Sequence, residues 1–173
     1  DQLAQRAAKL LNDKHIVKMP VETAQQLYAA LTRIGVPLPL TDANDDTLKI
    51  VGSPIGHRKH QCVLWMAACR AHFMWSLALA IAMADKNQRI FGTEHPHRAH
   101  FEAMRHSVFP ASFPEQVTAA QFIESLCADP TLSGKKVLSV MECIAIVNPP
   151  KGCLFGVLAI GTDLLPSVLT KDD

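Results

Sequence analysis

The sequence predicts an all-α protein: a compact helical bundle around a buried central apolar helix at about residues 61–86, with an irregular apolar C-terminal tail. Three observations predict it. Apolar side chains recur at helical spacing over much of residues 2–34. Between Cys62 and Ala84 the only strongly polar side chains are Arg70, His72 and Ser76, and a helix apolar on every side belongs in the middle of a bundle. Gly and Pro cluster between such runs rather than inside them. At 173 residues the chain is read as a single helical domain, 1–173, with a core at 1–110 and an extension at 111–173.

The first element is "QLAQRAAKLL", whose Leu3, Ala7, Leu10 and Leu11 have amphipathic helical spacing. A second helical pattern runs from Asp13 to Ile34 and is stopped by Gly35, Pro37 and Pro39. Pro20 predicts a kink or a fresh start within it. Residues 36–56 read as a long loop, and long connections in compact domains are often functional. The apolar run 62–84 is interrupted by Arg70 and His72 too early to span a membrane, which takes about 20 apolar residues. A third helix is expected from His97 to about Val108 and a fourth from about Glu115 to Cys127, on either side of the break "FPASFP". "DPTLSGKK" reads as a turn, and in the apolar segment 137–169 periodicity does not choose between short helices and a hairpin-like pair.

Composition narrows the function. Apolar residues are 49 % and charged residues 19 % of the chain, a globular balance. A formal net charge of +1 excludes a broad electrostatic footprint for nucleic acid, so any such site depends on local clusters. The cysteines, Cys62, Cys69, Cys127, Cys143 and Cys153, are odd in number and contain no CxxC pair, which predicts free thiols in a reducing, intracellular compartment. The polar, Ala-rich start lacks the apolar core of a signal peptide, and Asp1 in place of Met predicts processing or truncation. No Walker A, GxGxxG or GxSxG motif occurs, and no cofactor is implied.

Two clusters could carry chemistry. His15, Lys18, Glu22 and Gln25 fall on one stripe of the second helix if Pro20 keeps the phase, with Asp13 and Lys14 at its start. A solvated face with ordinary ion pairs is the plain reading of that spacing. The sharper one is a carboxylate beside cations that hold an anionic substrate. His57, Arg58, Lys59 and His60 precede the central helix, where cations oppose the helix dipole and a bound phosphate would relieve that cost. A metal-dependent hydrolase built on His57 and His60 with His95, His97 or His100 is the weakest reading, because a catalytic metal wants three ligands and the spacing presents no third nearby.

The blocks "NDKHIVKMPVETAQQL" and "HRKHQCVLWMAACRAHFMWSLALAI" resemble a family of small, mostly phage-type proteins described as pyrimidine-dimer DNA glycosylase-like, after the all-helical endonuclease V type. The likeness covers residues 5–35 and 57–105. It is carried by Asp13, Lys14, His15, Lys18, Met19, Glu22, Thr23, Ala24 and Gln25, and then by His57, His60, Cys62 and Trp65, with Gln61 where the family has Pro. The resemblance implies a glycosylase or abasic-site lyase acting on damaged or modified DNA bases through an imine. Glu22 would be the key carboxylate and His15 and Lys18 its catalytic neighbours. Lys14, Gln25, His57, Arg58, Lys59, His60 and Arg70 would contact the DNA. The amine would be the N-terminal one, which with a pKa near 8 is an available nucleophile (about 8 for an α-amine), or that of Lys18. The alternative is a non-catalytic helical subunit of a larger assembly, with protein partners covering the apolar helix and tail.

Overall fold

The computed structural model describes residues 2–145, and these are all-α, with eight helices and a lone antiparallel bridge between Thr41 and Thr47 in place of any sheet. Contacts divide the chain into two compact units, Asp1–Pro114 and a second that begins at Glu115. The first holds α1 (Gln2–Leu10), α2 (Asp13–Ile34), α3 (Pro54–His57), α4 (Gln61–Met66), α5 (Arg70–Phe91) and α6 (Arg98–Arg105). The second holds α7 (Ala119–Ala128) and α8 (Gly134–Ala145).

Helix α1 buries Ala4, Ala7 and Ala8, and Leu11 just beyond it, at i, i+3, i+4 and i+7. The leucines expected on that face, Leu3 and Leu10, lie outside. The reason is close approach: alanines let α1 lie directly on α5, where a leucine would hold it off. The Lys86 ammonium of α5 donates to the carbonyls of Ala8 (3.3 Å), Lys9 (3.1 Å) and Leu11 (2.6 Å). A cation at these helix-end carbonyls, of which Ala8 also accepts the Leu11 amide, favours both the hydrogen bonds and the helix dipole.

Helix α2 starts where Asn12 Oδ1 accepts the His15 amide at 3.0 Å. It ends at Gly35, whose φ of 86° lets its N–H return to the Leu31 carbonyl. The helix continues through Pro20, so there is no fresh start there. Pro20 has no N–H to give the Ile16 carbonyl, and it is buried with Ile16, Ala24, Leu27 and Leu31. Burying side chains such as Leu27 and Leu31 stabilises the fold by about 1.5–3 kcal/mol each. The loop that follows returns onto this helix. A Cβ at Gly52 (φ +74°) would stand 2.6 Å from Gln25 Cγ, so glycine permits the approach.

The expected central helix is two helices. Cys69 is extended (φ −159°, ψ 163°) and separates α4 from α5, which then runs to Phe91. Tertiary bonds make this elbow. His72 Nδ1 bonds the Trp65 carbonyl at 3.0 Å, their rings stack at 3.9 Å, and the Arg70 amide donates to Pro114 at 2.9 Å. Beyond the elbow, Phe73, Leu77, Ala80 and Ala84 form the buried face of α5, with Met83 beside them. Helix α6 contributes two fully buried side chains, Phe101 and Met104, and is otherwise fastened by polar groups.

In the second unit, Thr118 and Gln121 form a capping box, so α7 begins at Ala119 rather than near Glu115. The turn before α8 is shorter than "DPTLSGKK", because Gly134, Lys135 and Lys136 are already helical. The segment 137–145 is helix, and 146–169 lies outside the described residues. No helix among the described residues is long and apolar enough to cross a membrane.

Candidate functional site

Because α2 is continuous, its polar stripe keeps phase. Lys18 Nζ lies 2.9 Å from Glu22 Oε1, at the i, i+4 spacing. Both are accessible, the lysine side chain at 73 % and the carboxylate at 38 %. Asp13 and Lys14 are exposed at the start of the stripe, His15 is half-buried, and Gln25 lies under Gly52. An amine and a carboxylate thus stand side by side on an open helix face.

The second cluster is held elsewhere on the same helix. His57, Arg58 and Lys59 are exposed, and the Arg58 carbonyl accepts from Arg33 Nη1 at 3.2 Å. Arg33 is eleven residues beyond Glu22, about 16 Å along the axis. His60 uses Nδ1 to accept the Cys62 amide at 3.3 Å, capping α4. Arg70 is exposed at the start of α5, with its guanidinium 5.6 Å from the centre of the Phe109 ring.

The three histidines that the sequence offers as possible metal ligands take a different arrangement here. Three imidazoles line up beside α2. The His95 and His97 ring centres are 5.5 Å apart, those of His97 and His100 5.4 Å, both edge-to-face. The fully buried Tyr28 of α2 places its hydroxyl 2.7 Å from His100 Nδ1. Burial pushes the Tyr28 phenol up to about 12, so the phenol keeps its proton, and the His100 tautomer sets which of the two donates. Desolvation pulls His95, His97 and His100 below the ordinary imidazole value, and His97 is lowered further by the charges of its two neighbours. At the elbow, burial likewise lowers His72, against the opposing bond to the Trp65 carbonyl. Only the histidine spacing in "HPHRAH" hinted at this row; its partners on α2 are about 70 residues away in the chain. Among the described residues no group of three or more His, Cys, Asp or Glu is arranged to hold a metal ion.

An open groove of about 1070 Å³ runs between the loop after α2 and α6. Pro37, Leu40 and Ala103 give it apolar walls, and Asp45, Glu94 and Glu102 give it an acidic rim. None of His15, Lys18, Glu22, Lys14, Gln25, His57, Arg58, Lys59, His60 or Arg70 lines it.

Compared with known protein families, curated proteins and solved structures, the chain matches none. Fold and site therefore define a class only: an all-α chain that presents an open amine–carboxylate pair on its longest N-terminal helix.

Proposed function

We propose that this chain is a DNA glycosylase or abasic-site lyase-like enzyme that acts on damaged or modified bases through an imine, with Glu22 as its key carboxylate. The observation that supports the reading is the 2.9 Å approach of Lys18 Nζ to Glu22 Oε1 on an accessible helix face. The Lys18 ammonium passes a proton to Glu22, the amine adds to the sugar C1′, and the base departs with the second amine proton. Glu22 then gives its proton to O4′ as the C1′–O4′ bond opens, or, at an abasic site, water departs from the carbinolamine formed on the open aldehyde. The resulting cationic imine acidifies the C2′ proton. Glu22 accepts that proton, and the C3′–O bond to the phosphate breaks. A carboxylate beside the cationic centre stabilises charge as it develops. Lys14, Arg58 and Lys59 serve this reading as exposed cations for the phosphate backbone, with the exposed His57 beside them as a hydrogen-bonding group.

The test is borohydride trapping on an oligonucleotide carrying one abasic site. A covalent adduct is expected with the unaltered chain and is lost in Glu22→Gln, and peptide mapping assigns the amine to Lys18 or to another position. No adduct with the folded, unaltered chain defeats the proposal. The second reading, a non-catalytic helical subunit, draws support from exposed apolar side chains, with Leu10 80 %, Ile55 68 % and Val108 83 % accessible. The apolar run 62–84 does not support it, since none of its apolar residues is exposed, whereas Ile90 and Phe91 at the end of α5 are. That reading expects no adduct and a stable complex with a protein partner.

A further inference from the structure

Few apolar contacts hold the segment from Glu94 to His106. Phe101 and Met104 are its fully buried apolar side chains, and the remaining fastenings are polar. Arg98 bridges Asp85 of α5 and Glu102, the latter at 3.0 Å. His100 meets Tyr28 of α2. His95, only 5 % exposed, uses Nδ1 to accept the His97 amide at 3.2 Å, which closes the turn before α6.

We infer that His95, His97 and His100 form an acid-release latch: as neutral rings His100 ties α6 to Tyr28 of α2 and His95 holds the turn before it, with His97 packed between them, and protonating the row frees this segment while the rest of the first unit stays folded.

The chemistry of each ring supports the latch. A second proton on His95 must go to Nδ1, where the His97 N–H already points, so charging this ring breaks its own turn. His97 lies between two other imidazoles and precedes α6 as its N-cap, where a positive charge opposes the helix dipole. Asp42 and Asp45 of the loop after α2 line the groove beside α6, and no ion pair among the described residues joins a carboxylate to the three rings. From α2 the facing titratable group is Tyr28, which keeps its proton; Lys14, Lys18 and Glu22 occupy the next faces of that helix. From α5 it is Asp85, which is engaged by Arg98. On the segment itself, Glu102 is shared between Arg98 and Arg105, Glu94 is exposed, and Arg105 and His106 add positive charge.

The sign follows from burial. The closed segment holds its imidazoles below their ordinary value of about 6.5, so it binds fewer protons than the opened one. The closed form is therefore fully favoured above about pH 6.5 and loses ground as pH falls below it. His72 titrates in the same direction, but its partner is the Trp65 carbonyl, so its effect falls on α4 and the start of α5.

Hydrogen exchange of the full chain tests the latch at about pH 7.5 and about pH 5.5, corrected for intrinsic rates. Amides of α6 should lose about tenfold or more of their protection at the lower pH, while the buried middle of α5 keeps its own. His97→Gln should reduce the loss in α6 to less than about threefold. Constant protection in α6, or an equal loss throughout α5, overturns the inference. An NMR titration of the unaltered chain serves if the variant does not fold. Imidazole midpoints below the ordinary value, coincident with shifts of α6 amides, support the latch. Ordinary midpoints with unmoved α6 amides refute it.

Discussion

Two neighbouring faces of α2 carry polarity in opposite ways. On one, Lys18 and Glu22 pair in the open, 2.9 Å apart, where water competes for both charges. On the next face round, the buried Tyr28 meets a row of imidazoles, His95 buried and His97 and His100 half-buried. The difference teaches where a polar group stabilises and where it is free to react. An exposed pair contributes little to folding and remains available to a ligand. A buried polar row contributes through the cost of breaking it, because each orphaned group then lacks both its partner and water.

Substitutions can break or sharpen this contrast. The largest effect is expected at Phe101→Ala, which empties a fully buried site where α6 packs on α5 and should cost about 3–5 kcal/mol in urea unfolding followed by helix signal. Tyr28→Phe removes only the hydroxyl and leaves His100 Nδ1 without its partner, with an expected cost of about 1–3 kcal/mol in the same measurement near neutral pH. A cost near zero would mean that water replaces the hydroxyl and that this face is less dry than its geometry indicates. Lys86→Met keeps the apolar stem but removes a cation from three carbonyls at the end of α1, and should cost about 1–2 kcal/mol with faster exchange confined to α1. The smallest effect belongs to the open face. Lys18→Met and Glu22→Gln should each change stability by less than about 0.5 kcal/mol, while Glu22→Gln abolishes imine trapping. A large stability loss there would make the pair structural and erase the contrast between the faces.

The legible parts of the molecule were those that local chemistry decides. Gly35 ends α2 because a left-handed residue is needed there, and the Lys18–Glu22 pair follows from their four-residue spacing. The elbow at Cys69 was not legible. "AACR" contains no Gly or Pro, and the chain turns there through bonds to His72 and Pro114 made only after folding. Helix α1 was read with the wrong leucines inside, because periodicity located a stripe while the alanines decided how near α5 could come. The imidazole row was hidden for a third reason. His100 is given its role by Tyr28, and no local pattern announces a partner about 70 residues distant.

The aromatic residues are distributed so that the chain carries its own optical reporters. Its two tryptophans, Trp65 and Trp75, stand edge-to-face 6.1 Å apart at the α4–α5 corner, and its single tyrosine is the one that holds His100. Indole emission therefore watches the corner, and phenol absorbance watches the attachment of α6. Acidification that changes the second signal before the first would separate a local event from collapse of the whole unit, with no label introduced.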